Sequence, residues 1–518
     1  MRGLRALVLC FAVALLFSFA AEPAPALAST GQPAGTQRQM LIAIPGLPDN
    51  GDCQNTSSVY NRIGLNQQIY DFLMRKDGSG VIQPHLVESY KFADDASSCT
   101  MKLRKGIKFW DGTEMTSRDV QYTIARAKTA TGSVKGYCSD IERVDVIDDY
   151  TFTIVMANPN AALMEYLTII PIMAAKFTEA CGKAYGTDVD KVMGSGPYKV
   201  TKWKFGEYMV LDAFEEYFAG APSVKSILLK VISDTNAAVI AIQTGEVDLY
   251  LNDVPYISLP DLEKAANVKV DFFSSPRYNY VLFNSESGLF ADARMRQAVA
   301  YAVDREDMLI VACEDLANGY LVNSPAGPDF TANPGHEFWP YKQDAAKAAQ
   351  IVKDTGNFGK EVVVYTLTVD PYPKLATKLQ DFLSKIGLKS SIVQMENSAY
   401  VNDICKNGKF EIAICFNNFP AKDTGLALNS QLHSSKAGMS GNYGRYQGKE
   451  MDDLILKAKV IPDIEKRKTA YKDVFALFAR DVPSVPLYYA NSSRAYSSAL
   501  KVEPNCAQYD RFYYYSWK

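Results

Sequence analysis

Hydrophobic and polar positions alternate along this chain with two periods, and the switches between them map its elements. In CTMKLRKG, residues 99–106, Met101 and Leu103 alternate with Lys102 and Arg104, and in FEIAIC, residues 410–415, Phe410, Ile412 and Ile414 alternate with Glu411 and Ala413. A period of two is that of a half-buried strand. Apolar runs at MLIAIPG (40–46), ILLKVI (227–232), EVVVYTL (361–367) and KSSIVQM (389–395) predict further strands. So do a pair at 144–156 turning at Asp148-Asp149, two separate strands at 267–275 and 278–284, and one at 482–491.

Helical periodicity alternates with these runs. Met295, Ala298, Val299, Ala302 and Val303 follow the i, i+3, i+4, i+7, i+8 spacing of a helix over 292–304, which Asp292 can cap. Thr116 with Asp119 three residues on is a capping box opening a helix through about Lys128. Other helices are predicted over 57–75, 161–182, 235–245, 373–387, 398–406 and 463–480. The turn signals fall between elements: Asp111-Gly112, and Gly194-Ser195-Gly196 before a strand from Tyr198. No Lys-Ser/Thr pair follows those glycines, so they are a turn and not a phosphate loop. Strand–helix alternation appears twice, over 198–251 and 361–416. That pattern predicts an α/β protein of two lobes with a smaller domain inserted near the N-terminus.

Length agrees, since 518 residues exceed one ordinary core. The net charge of −3, without long single-sign runs, gives no footprint for nucleic acid. At the N-terminus, MRGLR, an apolar run of 15 residues and Ala26-Leu27-Ala28 have the layout of a secretory signal peptide over residues 1–28. Cys10 follows Leu9 within the run, which does not suit a lipid-modified cysteine. The expected location is therefore periplasmic or extracellular. Export leaves eight cysteines in an oxidising space, and a set of structural bridges with some buried thiols is expected.

The chain offers little for catalysis. It has three histidines, His85, His336 and His433, and neither a GxSxG nor an HExxH motif. No CxxC occurs, so neither a metal nor another cofactor is expected. Aromatic residues make up 12%, and several, including Tyr278, Tyr280 and Phe419, lie at expected strand ends and loops beside amides. Rings and amides together suit a small polar ligand held between lobes. A binder is the expectation and a secreted hydrolase the alternative.

Four ordered segments carry a family resemblance: LVESYKFADDASSCTMKLRKGIKFWDGTEMTSRDV from Leu86, GSGPYKVTKW from Gly194, AIQTGEVDLY from Ala241, and LFNSESGLFADARMRQAVAYAVDRE from Leu282. Together they resemble the extracytoplasmic solute-binding proteins of ABC importers, in the dipeptide, oligopeptide and nickel-binding family (family 5). The resemblance spans nearly Met40 to Tyr489. It implies a periplasmic-binding-protein-like fold of type II with an extra domain, hinged around a ligand cleft and read by a membrane permease. On that reading residues 40–55, 190–275 and 488–518 form lobe I, 56–189 the inserted domain and 276–487 lobe II, and the protein is a monomer.

In oligopeptide-binding relatives an aspartate pairs with the peptide's amino terminus, and that position here falls on Pro420, with Asn417 at a tryptophan position. Asp423 matches a second acid of the family. The resemblance thus puts Asn417, Asn418, Phe419 and Asp423 at the ligand, with Tyr278 and Tyr280 near the lobe junction and Asn55 in the first loop. A buried ammonium needs a partner charge, which Pro420 cannot supply, so the departure counts against an ordinary peptide, although peptides stay the first ligand class. Oligosaccharides or other neutral polar solutes come second. Nickel is disfavoured, since His433 alone lies near the loop.

Overall fold

The computed structural model describes residues 38–518 except 57, 59–64, 78–79, 336, 420, 439–440 and 504–509, and residues 39–518 form one unit. The expected signal peptide, Pro420 and Cys506 lie outside the described residues.

Its frame is an 11-stranded mixed sheet. The strands are β1 (Met40–Ile44), β6 (Tyr198–Lys204), β7 (Tyr208–Ala213), β8 (Ser226–Val231), β9 (Leu249–Tyr250), β10 (Val268–Phe283), β11 (Gly319–Leu321), β12 (Glu361–Leu367), β13 (Lys389–Met395), β14 (Ile412–Asn418) and β15 (Ser484–Ser497). Across the sheet the order is β13-β12-β14-β10-β15-β9-β1-β8-β7-β6, with β11 paired to β15. A second, antiparallel sheet of four strands is built from β2 (Val87–Phe92), β3 (Ser98–Leu103), β4 (Ile141–Val146) and β5 (Thr151–Met156). Eight helices matter below: α1 (Ser117–Ala127), α2 (Thr235–Thr244), α3 (Ala293–Ala302), α4 (Arg305–Cys313), α5 (Tyr372–Lys385), α6 (Thr424–Leu432), α7 (Lys449–Lys459) and α8 (Ile464–Asp481).

Much of this follows the pattern of the sequence. α1 opens on the capping box, with the Thr116 N–H donating to Asp119 Oδ2 at 2.8 Å. Such a cap contributes about 1 kcal/mol. α2 ends at Gly245, whose φ of 75° only glycine adopts at little cost. The parallel pair β12/β13 flanks the crossover helix α5, and β8 and β9, both parallel to β1, flank α2, as α/β units require. One apolar core gathers residues 278–489, a second 73–193, and two more lie on either side of β1 and β9.

Other expectations change. The two strands at 267–275 and 278–284 are one strand of 16 residues, because a bulge and not a turn joins them. Asn417 and Asn418 end β14 instead of belonging to the loop after it. Among described residues of 57–75 the helix is one turn, Gln67–Ile69, and Met74–Lys76 is a strand. Buried Asp71 draws that segment away from helical geometry: it accepts from Tyr217 at 2.9 Å and Ser195 at 3.2 Å, and meets His85 at 2.8 Å. The helix over 161–182 is two, Leu163–Tyr166 and Ala175–Cys181, separated by Pro171. Arg296 of α3 makes no salt bridge among the described residues. It is buried and donates to the carbonyls of Phe290, Ala291, Asp481 and Val482. The seven described cysteines are free thiols, so the expected bridges are not found among them. No described helix is long and apolar enough to cross a membrane.

Candidate functional site

β10 and β15 are the longest strands of the sheet, and their pairing shifts register twice, between Ser274 and Tyr278 and again between Asn279 and Tyr280. Ser274 opposes Asn491 and the next pair is Tyr278 with Tyr489, so residues 275–277 of β10 face Ala490 alone. This first shift contains Pro276, which cannot donate to a ladder, and such bulges bend a strand and re-aim its side chains. Here the carbonyl of Pro276 turns to accept the N–H of Phe419 at 3.0 Å.

A cavity of about 290 Å³ opens against this bulge. Ser275, Arg277 and Asn279 of β10 line it, with Tyr488, Ala490, Asn491 and Ser492 of β15. From one side come Thr235, at the start of α2, and Asp253 to Tyr256, the loop after β9. From the other come Ala312 and Cys313, ending α4, and Pro371 and Tyr372, starting α5. The volume sits at the small end of the range for small-molecule pockets, roughly 300–1,000 Å³.

Each polar group there is held in place. Asp253 accepts the N–H of Ser493 at 3.1 Å. The residue is exposed overall and open to the cavity, yet the protein around its carboxylate raises its pKa, while the Ser493 N–H and Arg277 pull the other way. The Arg277 guanidinium lies over the Phe416 ring at 5.0 Å and has no ion-pair partner among the described residues. Phe416 in turn stacks on Tyr372 at 5.5 Å. Asn279 donates to the carbonyl of Arg277 at 3.3 Å, and Tyr256 donates to that of Asn491 at 3.2 Å. The N-termini of α2 and α5 reach the cavity as well, which adds partial positive charge.

This chemistry recognises and does not react. Burial pushes the Cys313 thiol up to about 11 and the Tyr372 hydroxyl up to about 12, so both stay protonated at neutral pH. No histidine lines the cavity. What remains is one cation, one anion, amides, hydroxyls and rings.

None of the seven residues singled out in the sequence lines this cavity. Tyr278 and Tyr280 project from the opposite face of β10, fully buried and stacked at 4.7 Å. Phe419 joins them, 6.4 Å from Tyr278 and 6.0 Å from Phe330. Asn417 is in register with Tyr278, and Asn418 with Arg277. Asp423 is 1% exposed; one oxygen caps α6 through Leu426 N–H at 3.2 Å and the other lies 3.6 Å from Arg467. Burial raises its pKa to about 6, with Arg467 opposing and Glu165 adding to the shift. Asn55 donates to Asp52 at 2.8 Å and accepts from Thr131 at 3.1 Å, tying the first loop to the chain beyond α1.

The residues that do line the cavity left a faint trace. Arg277 and Asn279 interrupt YNYVLF at alternate positions, so a strand with one polar edge inside a buried sheet could have been read there. Asp253 and Tyr372 left none, because their approach depends on which loops the sheet order brings together.

Residues 81–438 match the family described as bacterial extracellular solute-binding proteins, family 5 Middle. The oligopeptide-binding protein AppA of Bacillus subtilis (strain 168) is 27% identical over 463 residues, covering 84% of this chain and 83% of its own. The glutathione-binding protein GsiB of Shigella boydii serotype 4 (strain Sb227) is 25% identical over 445 residues, covering 84% and 86%. The structure of HbpA2 from Haemophilus parasuis superposes with a TM-score of 0.83 at 18% identity, covering 93% of this chain and 100% of that one.

Proposed function

The chain belongs to the family 5 bacterial extracellular solute-binding proteins, and from that premise we propose that it captures a short peptide, or a zwitterion of peptide-like chemistry, in the cavity beside the β10 bulge. As a member it is a binding protein of an ABC importer that works outside the cytoplasm, and not an enzyme. It delivers its solute to a membrane permease.

One observation carries the ligand class: Asp253 and Arg277 line a single small cavity and do not pair with each other. A zwitterion would bring an ammonium to Asp253 and a carboxylate to Arg277, so that each charge gains a charge-assisted hydrogen bond. In this reading the amine partner is Asp253, since the Asp423 carboxylate is occupied by its helix and by Arg467. AppA and GsiB are named for an oligopeptide and for glutathione, which favours a peptide, and the volume favours a short one.

We read the chain on either side of the bulge as two lobes, with the boundaries at 276 and 488 falling inside β10 and β15. Residues 1–28 are read as a cleaved signal peptide without lipid attachment, and the protein as a monomer. Solute would then favour the closed arrangement by as much as it binds that form better than the open one.

A thermal-shift screen tests the reading, because a solute specific for the folded form raises the melting temperature. Free dipeptides and tripeptides should raise it, and the same peptides acetylated at the amine and amidated at the carboxylate should not. Neutral oligosaccharides are the second reading, favoured by the Tyr256, Tyr372 and Tyr488 rings beside Asn279 and Asn491. A response to sugars alone would replace the first reading with it.

A further inference from the structure

Outside the cavity and away from the two long strands, the segment 56–189 touches the 276–487 body through polar contacts that share two anchor points. At the first, Lys459 Nζ meets Asp140 Oδ2 at 2.8 Å, with the two side chains 11% and 14% exposed. Asn160 holds Asp140 by a second bond to the same oxygen at 2.7 Å. Lys459 is also the last residue of α7, and its carbonyl accepts the N–H of Ala161 at 3.0 Å. A carbonyl that a helix end leaves unsatisfied is thus capped by the other body.

At the second point, Thr331 Oγ1 donates to Glu165 Oε1 at 2.8 Å, and Lys76 pairs with the other oxygen of Glu165 at 2.7 Å. Glu165 is 1% exposed. Thr331 is bound into the chain after β14, accepting from Thr424 at 3.1 Å and donating to Lys422 at 2.8 Å. Leu426 of α6 packs on the apolar core of the inserted segment between these points.

We propose that Asp140–Lys459 and Glu165–Thr331 form a clasp that holds the inserted segment, which Arg126–Asp52 and Gln54–Thr123 tie to lobe I, closed against lobe II independently of solute contacts. The inference rests on the two-lobe reading above. In the closed arrangement the ion pair is largely shielded from water, and a shielded pair with satisfied hydrogen bonds holds better than an exposed one. In the open arrangement Lys459 and Thr331 lose these partners, while Asp140 keeps Asn160 and Glu165 keeps Lys76. Removing the clasp therefore shifts the population toward the open form, which lowers solute affinity without touching the cavity.

Small-angle X-ray scattering of the full mature chain without added solute decides the matter. Lys459→Asp should raise the radius of gyration while melting stays cooperative, and the charge swap Asp140→Lys with Lys459→Asp should bring it back. Any dipeptide that stabilises the wild type should bind the single variant more weakly, on the order of tenfold. An unchanged radius in Lys459→Asp, or a swap that fails to restore it, overturns the clasp. Should Lys459→Asp not fold, Lys459→Gln is read the same way. Scattering needs no ligand, so a failed peptide screen would sink the proposed solute and leave the clasp standing or falling on its own.

Discussion

Asp253 and Arg277 reach one cavity from different elements, a loop after β9 and the bulge of β10, and remain unpaired. Opposite charges that share one small cavity without pairing are both open to a third partner that carries both signs. Arg277→Met should therefore weaken peptides with a free carboxylate by roughly 10–100-fold, the worth of a charge-assisted hydrogen bond. Peptide amides should lose little. Asp253→Asn should show the mirror pattern, sparing N-acetylated peptides, and calorimetric titration of the four combinations separates the roles.

Asp423 and Arg467 are both nearly sealed from water and lie 3.6 Å apart. Removing one partner strands the other, which typically costs 3–5 kcal/mol. Asp423→Ala also loses the α6 cap, so its denaturant midpoint should fall further than that of Asp423→Asn, which can keep the cap. Chemical unfolding of both variants checks the order. If Asp423→Ala unfolded like the wild type, the burial of this pair would be wrong.

The same carboxyl gives stability a pH dependence. The folded chain takes up this proton near pH 6 and the unfolded one near 3.8, so protonation stabilises the fold as pH drops through that interval. His85 acts in the opposite sense. Burial, with Arg75 adding and Asp71 opposing, lowers it to about 4 from an ordinary 6.5. The unfolded chain is protonated first, and up to roughly 3 kcal/mol is lost as pH falls from 6.5 to 4. Melting temperatures from pH 7 to 4 should fall less steeply in His85→Gln than in the wild type, and more steeply in Asp423→Asn.

Gly194 has no room for a side chain, since a Cβ there would lie 1.7 Å from the carbonyl oxygen of Ile69. That oxygen belongs to backbone and cannot step aside. Gly194→Ala should lower the melting temperature markedly, whereas Gly136→Ala, which meets nothing within 4 Å, should not.

Sequence pattern carried the repeating elements well, because burial on one face imposes a period that side chains must obey. Asp292, Thr116 and Gly245 marked helix ends for reasons confined to a few neighbouring residues. The site was another matter. Tyr278 and Arg277 are adjacent in sequence yet project to opposite faces, one into the core and one into the cavity. Which face is wet depends on the bulge and on loops 24 residues upstream and 95 downstream, at Asp253 and Tyr372. Asp423 looked like a free acid because its partner Arg467 is 44 positions away.

β15 begins at Ser484 and still lies in the middle of the sheet, between β10 and β9. The centre of the fold is therefore made after both of its flanks. Until β15 is made, β10 and β9 each keep one open edge, and the two flanks of the sheet cannot join.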